Sequence, residues 1–408
     1  MKKLIAGAIA LVVVVVLLNT IWADNVRRLQ FVTSLFSGAE QYENFASIAS
    51  FLPTTTMTAA PTPFQFPGAE TQATLPTQFA FQGSQRATQA FLEDTDTAAL
   101  LVLHDGKVVF ENYWLTGGRE VNWLSMSVAK SFIATAIGIA VDEGKIDIEK
   151  PITDYVPGLA GSAYDGVRIK DILQMSSGAA WNEDYEDLNS DVNRMGRSMA
   201  FGSPLVEFVA AIEPDVEPGT LNRYNSGDTQ ALGLLLRAAT GATITAYMQE
   251  KLWHPLGMES NGYWIVDDEG VELAFAGLNA TARDYAKLGE LHRLNGQWQG
   301  RQVLSAEWVT AATRFDAPHL APNINKDFPL GYGYQWWLPE STEGEYTAIG
   351  VYNQFVYVNP ARDLVIVKLS AYSDYASTDS DDAYREMETI AFFRAIGAAN
   401  APLDTDLR

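Results

Sequence analysis

Residues 98–114, AALLVLHDGKVVFENYW, decide the fold, because two strand-like runs flank a two-residue turn. Both runs are rich in apolar and β-branched residues, and Asp105-Gly106 between them is a dipeptide that tight hairpin turns favour. The sequence therefore predicts an antiparallel β-hairpin about this turn. Strand-like runs return in the last third of the chain, at YGYQWWL, QFVYVNP and LVIVKLSAY.

Helices are predicted between these two groups of strands. The run SVAKSFIATAIGIAVDEG, residues 127–144, is small and apolar for most of its length and ends on a glycine, which is typical of a buried helix with a glycine cap. Strands at both ends with helices in the middle indicate an α+β domain whose terminal segments build one antiparallel sheet. Further helices are predicted at residues 229–240, 244–252, 282–294, 306–313 and 384–396.

Ser127 and Lys130 form the one S-x-x-K motif of the chain. Positions i and i+3 share a helix face, so Lys130 Nζ can reach Ser127 Oγ. Burial would lower the pKa of the lysine toward a value at which it accepts the serine proton. A serine that begins a helix also offers its own backbone N–H to a developing oxyanion. The spacing alone is equally consistent with a capping serine followed by an ordinary helix lysine.

A longer set of segments resembles serine β-lactamase-like proteins, and the similarity spans residues 95–398. Within that superfamily, SSGAAWNEDYED and GAEQYENF look most like the branch of 6-aminohexanoate-dimer hydrolases and carboxylesterases. The resemblance implies an antiparallel sheet flanked by helices, with an inserted all-helical subdomain that closes the cleft. The other segments that carry it include IAVDEGKIDIEKPITDYVPGL, VRIKDILQMSSGAAWNEDY, PGTLNRYNSGDTQALGLLLRAATG and AIGVYNQFVYVNP.

The resemblance implies roles for a second motif, Tyr224-Asn225-Ser226. Tyr224 stands at the family position of a tyrosine that relays protons between the serine and the leaving group. We expect the nearby lysine ammonium to lower the pKa of this phenol. Ser226 stands where the family often carries an asparagine that orients the lysine, and it is a candidate site residue.

The third motif departs from the family pattern, because Ala348-Ile349-Gly350 replaces K-T-G or H-x-G. By resemblance, Gly350 keeps the strand edge open for substrate and the N–H of Val351 is the second oxyanion donor. The missing cationic side chain is the group that receives a substrate carboxylate in β-lactamases and peptidoglycan enzymes. This departure disfavours β-lactam hydrolysis and favours uncharged esters or amides.

The segment WNEDYED carries a further candidate, Tyr185. The resemblance implies a tyrosine that closes over substrate and donates to a leaving nitrogen, and the alternative is an exposed loop aromatic. If this acidic loop lines the cleft, it would attract amine-bearing substrates; otherwise it is a solvated face. Trp336 and Trp337 are candidates for an apolar wall against the acyl chain, although paired strand aromatics are also typical of a core. The acidic residues of the loop are Glu183, Asp184, Glu186, Asp187 and Asp191.

Composition excludes several other chemistries. With Lys+Arg at 28 against Asp+Glu at 50, the chain repels phosphate backbones, so we expect no nucleic-acid partner. There is no cysteine and the four histidines are scattered, which leaves no thiol nucleophile and no zinc motif. No G-x-S-x-G motif occurs, and no histidine lies near a plausible nucleophile. No metal or organic cofactor is implied, and nothing specifies an oligomeric state.

The N-terminus is predicted to be an export signal or an uncleaved membrane anchor. Lys2 and Lys3 precede an apolar run from Leu4 to Leu18 that continues to Trp22, which lies between the lengths of the two kinds of segment. We favour an anchor over residues 4–22 with the globular part outside the cytoplasm. The predicted divisions are a signal or anchor at 1–23, a helical arm and linker at 24–84, and a hydrolase domain at 85–408.

These observations together predict a serine hydrolase that cleaves an ester or amide of a small molecule through an acyl-enzyme on Ser127. One alternative is a peptidoglycan-directed D-amino-acid peptidase or carboxypeptidase. The other is a binding protein of the same fold without catalysis.

Overall fold

The computed structural model describes residues 26–28, 30–32, 34–36, 41–200, 203–325, 328–375 and 384–400. The predicted anchor over residues 4–22 lies outside these ranges. Within them, no single helix is long and apolar enough to cross a membrane. One bent pair, Ser226–Thr240 with Ile244–Trp253, passes the same test of length and composition, with an angle of 73° between its halves.

A seven-stranded antiparallel sheet forms the centre of the molecule. The strands of the described residues are β1 Thr54–Met57, β2 Gln78–Phe81, β3 Ser84–Ala87, β4 Thr97–His104, β5 Lys107–Tyr113, β6 Trp123–Leu124, β7 Gly262–Ile265, β8 Leu278–Ala280, β9 Gln297–Trp298, β10 Arg301–Gln302, β11 Gly331–Tyr332, β12 Trp337–Leu338, β13 Tyr346–Gly350, β14 Gln354–Asn359 and β15 Leu364–Ser370. The order of strands in the central sheet is β11-β12-β13-β14-β15-β4-β5. These strands come from the two chain regions that the sequence predicted, with β4 and β5 joined at Asp105-Gly106 and β15 pairing with β4.

Helices cover both faces of this sheet. The helices are α1 Gln41–Ala46, α2 Thr88–Asp94, α3 Val128–Asp142, α4 Ile169–Leu173, α5 Asp191–Ala200, α6 Leu205–Ala210, α7 Ser226–Thr240, α8 Ile244–Met248, α9 Ala282–Arg293, α10 Ala306–Ala312 and α11 Glu386–Asn400. Because side chains alternate along a strand, Leu101 and Leu103 of β4 join the core beneath α3 and α9. Leu100 and Val102 instead join the core beneath α11. The sheet is therefore buried on both sides.

The helical insertion lies between β6 and β7. The described residues from 125 to 261 form helices, turns and isolated bridges and contribute no strand to either large sheet. This arrangement confirms the predicted α+β class with an antiparallel sheet and an inserted helical part. The predicted helix at 127–143, with Gly144 just past its end, is also confirmed, since α3 ends at Asp142 and Gly144 has a φ of +70°.

The segment that precedes the central sheet packs against the domain. Residues 54–57 form β1, which pairs with β7 in a second antiparallel sheet, β1-β7-β8-β6. Farther along, Phe64 packs edge-on against Trp298 at 5.1 Å. Residues 53–68, within the predicted arm and linker, therefore lie along the domain surface.

Candidate active site

A cavity of about 340 Å³ opens beside Ser127, where the helical part meets the sheet. Its polar lining includes Glu183, Tyr185 and Tyr224, and its apolar lining includes Trp337 and Val351. The structure thus brings together, around one cavity, residues that lie more than 200 positions apart in the chain.

Ser127 lies in a tight turn between β6 and α3. Met126, the residue before it, has a φ of +47°, which is uncommon for a residue with a side chain and marks local backbone strain. Ser127 is the N-cap residue of α3, but its side chain makes no capping hydrogen bond. The capping alternative for this serine is therefore wrong, and its hydroxyl is directed to other partners.

Lys130 is buried one helical turn farther along, with 1% of its surface exposed. Its Nζ donates to Ser127 Oγ at 2.8 Å, to Ser226 Oγ at 3.1 Å and to the carbonyl oxygen of Phe275 at 3.2 Å. Burial lowers the pKa of Lys130 to about 8, and the charge of Glu183 limits the fall. The predicted contact between Lys130 and Ser127 is present, and the lysine can lose its proton near neutral pH.

Tyr224 places its ring beside the lysine, and the centroid lies 4.8 Å from Lys130 Nζ. The phenol interacts with Ser127, yet its pKa is raised well above the ordinary value, first by burial and then by the charge of Glu183. The expectation of a lowered pKa is therefore wrong, because burial of the phenol dominates and the charge of Glu183 acts in the same direction. Tyr224 remains protonated at neutral pH.

Ser226 links the lysine to a carboxylate. Its hydroxyl accepts from Lys130 Nζ and donates to Glu183 Oε1 at 2.6 Å, while its backbone N–H donates to Glu183 Oε2 at 3.0 Å. The neighbouring Asn225 does not take this place, because its side chain caps α7 through Asp228 N–H. Ser226 thus makes the contact with the lysine that the resemblance assigned to an asparagine.

Glu183 is a site residue that the sequence analysis had placed only among the acids of a loop. It accepts hydrogen bonds from Trp181 Nε1 and from the Tyr185 hydroxyl, the latter at 2.8 Å, in addition to those from Ser226. No local signal in the sequence separates Glu183 from the other acids of the loop, because its partner Ser226 lies 43 positions away.

Tyr185 lines the cavity, so the exposed-loop alternative is wrong. Burial raises its pKa well above the ordinary value, and the nearby Glu183 charge adds to the effect. Aspartates of this loop also hold its turns together. Asp191 accepts from the N–H of Asn182, and Asp184 accepts from the N–H of Glu186.

Gly350 ends β13 directly against the serine turn. A Cβ at this position would lie 2.6 Å from Ser125 O and 3.0 Å from Ser127 N. This close approach brings the next residue, Val351, to the cavity wall. Within the part of the chain that the structure describes, neither Ser127 N–H nor Val351 N–H donates to a protein acceptor. Both groups are available to a ligand oxygen.

The two tryptophans have different environments. Trp337 lines the cavity and stacks on Tyr224, with centroids 5.1 Å apart and 28° between the ring planes. Trp336 is fully buried and packs against His292 and Tyr346 in the core, so the expectation that it lines the acyl pocket is wrong. Trp336 lies just before β12 and Trp337 begins it, so the two neighbouring side chains point to different sides of the chain.

Other lining residues carried no signal in the sequence. They come from four distant regions of the chain, around positions 222, 328, 349 and 380, and meet only through the fold. They are Leu221, Asn222, Arg223, Asn325, Phe328, Leu330, Ile349, Tyr375, Tyr384 and Glu386.

The fold and this site define the class, a hydrolase with the fold of serine β-lactamases and penicillin-binding proteins. The chain belongs to the Beta-lactamase family, whose model matches residues 85–391. It is 34% identical over 293 residues to the 6-aminohexanoate-dimer hydrolase of Paenarthrobacter ureafaciens, which covers 69% of this chain and 74% of the relative.

Solved structures show the same fold. A Bacillus anthracis protein described as a 6-aminohexanoate-dimer hydrolase superposes with a TM-score of 0.79 at 24% identity, covering 89% of this chain and 95% of that one. EstCE1, a hydrolase with promiscuous acyltransferase activity, superposes with a TM-score of 0.60 at 16% identity, covering 76% and 96%. The predicted resemblance to the serine β-lactamase-like superfamily and its 6-aminohexanoate-dimer hydrolase branch is confirmed.

Proposed function

We propose that the protein hydrolyses small amides and esters through an acyl-enzyme on Ser127. The observation that carries this proposal is the contact of 2.8 Å between Lys130 Nζ and Ser127 Oγ, made by a lysine that is almost wholly buried. A buried lysine next to a serine hydroxyl is the arrangement that activates a serine without histidine.

In this mechanism, Lys130 acts first as a neutral base. A neutral amine keeps two N–H bonds, and Ser226 Oγ and the carbonyl oxygen of Phe275 are positioned to accept them. The lone pair then faces Ser127. As Ser127 Oγ attacks the substrate carbonyl carbon, its proton passes to Lys130 Nζ. The lysine charge that develops is offset by Glu183 through Ser226.

The tetrahedral intermediate carries its negative charge on the former carbonyl oxygen. Ser127 N–H and Val351 N–H are the proposed donors to this oxygen, because both residues line the cavity and neither N–H has a protein acceptor among the described residues. Fixed donors in a site shielded from water stabilise such charge more than water does.

Collapse of the intermediate requires a proton for the leaving group. Tyr224 is protonated because burial raises its pKa, so its hydroxyl gives a proton to the leaving nitrogen and recovers one from the Lys130 ammonium. The C–N bond breaks and the amine departs. Water then attacks the acyl-enzyme by the reverse proton path and releases the acid.

Three features support a linear amide that carries an amino group. The 34% identical relative is named for a dimer of 6-aminohexanoate, which is an amide with an amine at one end and a carboxylate at the other. The mouth of the cavity here is acidic, since Glu386, Glu186 and Asp184 add to burial in raising the pKa of Tyr384. An ammonium group is favoured in that field.

The third feature is an apolar wall beside the serine. A methylene chain of the substrate can pack there against Trp337, Phe328 and Leu330.

The third motif supports this choice against β-lactams and peptidoglycan peptides. Ala348 and Ile349 offer no cation to a carboxylate that lies next to the scissile bond, as it does in β-lactams and D-alanyl peptides. The carboxylate of the 6-aminohexanoate dimer lies instead at the far end of a methylene chain. Arg223 does line the cavity, but its Nη1 donates to Asp215 Oδ2 at 2.6 Å and to the carbonyl oxygen of Ala179. Its charge is thus already compensated by a carboxylate.

One substrate panel with one variant tests the proposal. The wild type and Ser127→Ala are compared on 6-aminohexanoate dimer, its N-acetyl derivative, a p-nitrophenyl ester, a D-alanyl dipeptide and a chromogenic cephalosporin. We expect turnover of the dimer and the ester, a higher KM for the N-acetyl derivative, and a loss of about 10⁶-fold in kcat for Ser127→Ala.

A covalent readout accompanies the panel. A fluorophosphonate probe should label the wild type at Ser127 and leave Ser127→Ala unlabelled. Equal labelling of both proteins would overturn the nucleophile assignment. Preferred turnover of the cephalosporin or the D-alanyl dipeptide would overturn the substrate class, and no turnover with no labelling would favour a binding protein.

We also propose that residues 4–22 tether the protein to a membrane and place the hydrolase domain outside the cytoplasm. This proposal rests on the apolar run and on the two lysines before it. A variant that lacks residues 1–25 would then leave the membrane fraction.

A further inference from the structure

The two proposed oxyanion donors lie on separate segments of the chain. Ser127 follows β6, which contains Trp123, and Val351 begins the turn between β13 and β14. Their spacing must be fixed closely for both to reach one oxygen, because a displacement of about 1 Å at a reacting group can cost about 100-fold in rate.

The turn after Val351 has an unusual backbone. Tyr352 and Asn353 have φ values of +63° and +71°, so two consecutive residues with side chains occupy the left-handed region. Such a conformation persists only where the surroundings hold it. Two side chains hold Asn353 in place. Its Oδ1 accepts from the buried Lys368 Nζ at 2.7 Å, and its Nδ2 donates to Thr389 Oγ1 at 3.1 Å.

Tyr352 is held by the N-terminal arm, defined here as the described residues from 26 to 57. Phe36 of the arm stacks on Tyr352 with centroids 5.2 Å apart and ring planes 5° apart. Phe45, from α1, packs edge-on against the same ring at 5.4 Å. Tyr375, which lines the cavity, packs against Tyr352 at 5.3 Å.

Phe45 also contacts the other segment. It packs edge-on against Trp123 at 5.9 Å, and its side chain is completely buried. Trp123 Nε1 in turn donates to Gln354 Oε1 at 3.1 Å, and Gln354 Nε2 donates to the carbonyl oxygen of Tyr352 at 3.0 Å. One arm residue therefore lies against both segments that carry the oxyanion donors.

We propose that two residues of the N-terminal arm, Phe45 and Phe36, act as positioning residues that set the turn 351–353 against the Ser127 segment. This inference rests on the proposed function, since it assigns the arm a role in the same acyl transfer. The arm residues touch neither the serine nor the lysine. They act through Tyr352 and Trp123.

The chain offers a matched control for the test. Phe51 is 39% exposed and stacks on Phe31 at 4.2 Å, while Phe36 is 44% exposed and stacks on Tyr352. Phe36→Ala and Phe51→Ala each remove one half-exposed stacked ring from the arm. Only Phe36→Ala removes a ring that contacts the turn beside Val351.

Full-length Phe36→Ala, Phe51→Ala and Tyr352→Ala are measured for kcat, KM, fluorophosphonate labelling rate and thermal midpoint. We expect Phe36→Ala and Tyr352→Ala to lower kcat and the labelling rate by about 10-fold or more with KM little changed, because the donors act on the transition state. Tyr352→Phe keeps the ring and should restore the rate. Phe51→Ala should retain the wild-type kcat.

Equal kcat values for Phe36→Ala and Phe51→Ala in an active enzyme would overturn the positioning role and leave the proposed function intact. The positioning role would also be overturned if kcat fell in both variants in proportion to the drop in their thermal midpoints. The loss of activity would then reflect lower stability. Failure of the proposed function is distinguishable, because it would appear as turnover or labelling that survives Ser127→Ala.

Discussion

At the scale of single residues, the protonation state of Lys130 should control the pH dependence of the reaction. Its pKa is lowered to about 8 by burial, and catalysis requires the neutral amine. We expect kcat/KM to rise with pH and to level off above a midpoint near that value.

Glu183→Gln should move this midpoint to lower pH, because the Glu183 charge raises the pKa of Lys130 and the variant removes that charge. The control is Glu186→Gln, which makes the same charge change at an exposed position of the same loop. A pH–rate profile of both variants provides the measurement. An unchanged or higher midpoint for Glu183→Gln would contradict the coupling between the carboxylate and the lysine.

Tyr224→Phe should separate amide from ester hydrolysis. The variant keeps the ring that stacks on Trp337 and loses the hydroxyl that interacts with Ser127. An amine must be protonated to leave, whereas p-nitrophenolate leaves without a proton. We expect kcat to fall by about 10²- to 10⁴-fold on the amide and far less on the p-nitrophenyl ester.

The control for this variant is Tyr332→Phe, which alters a buried tyrosine whose ring packs edge-on against Tyr224 at 6.3 Å. It should leave the ratio of amide to ester turnover unchanged. Equal losses on both substrates in Tyr224→Phe would argue for a structural rather than an acid role.

At the scale of secondary-structure elements, the close approach of β13 to the serine turn depends on Gly350. Gly350→Ala would place a methyl group 2.6 Å from Ser125 O and 3.0 Å from Ser127 N, so the strand or the turn must move. We expect a loss of about 100-fold in kcat together with a lower thermal midpoint. Gly158→Ala is the control, since a methyl group there meets no atom within 4 Å. Wild-type kcat in Gly350→Ala would show that this contact does not set the site geometry.

The local elements could be predicted from sequence, whereas the contacts between them could not. The hairpin at Asp105-Gly106 and the helix that begins after Ser127 depend on neighbouring residues, so turn and helix patterns were sufficient. The same holds for Lys130, which reaches Ser127 within one helical turn. The run YGYQWWL instead forms only β11 and β12, because Gln335 interrupts it with a φ of +60°.

Two features of the site, the raised pKa of Tyr224 and the role of Glu183, depend on burial by distant segments of the chain and were not predicted from sequence. The raised pKa of Tyr224 depends on how deeply the phenol is buried, and local sequence patterns do not predict that burial. Glu183 reaches Ser226 across 43 positions, and only the folded chain brings the two together. Such residues are found from the packing of distant segments rather than from spacing.

At the scale of the whole molecule, the N-terminal arm belongs to the folded unit even though the family model begins at residue 85. β1 of the arm pairs along four residues with β7, and Met57 and Phe45 are completely buried in the main core. Burial of this apolar surface stabilises the arm against the domain. Removing the arm would expose both the edge of β7 and the aromatic contacts of Tyr352.

Two truncations separate the arm from the predicted anchor. A variant that begins at residue 26 keeps every arm contact described here and should leave the membrane fraction while retaining kcat and the thermal midpoint. A variant that begins at residue 59 loses β1 and α1, so it should aggregate or unfold at lower temperature and lose most of its activity. Membrane fractionation, thermal unfolding and kcat on the p-nitrophenyl ester measure the three effects. Full activity and an unchanged thermal midpoint in the shorter variant would show that the domain does not need the arm. The unpaired edge of β7 would then not lower stability, and the unsupported turn at Tyr352 would not lower kcat.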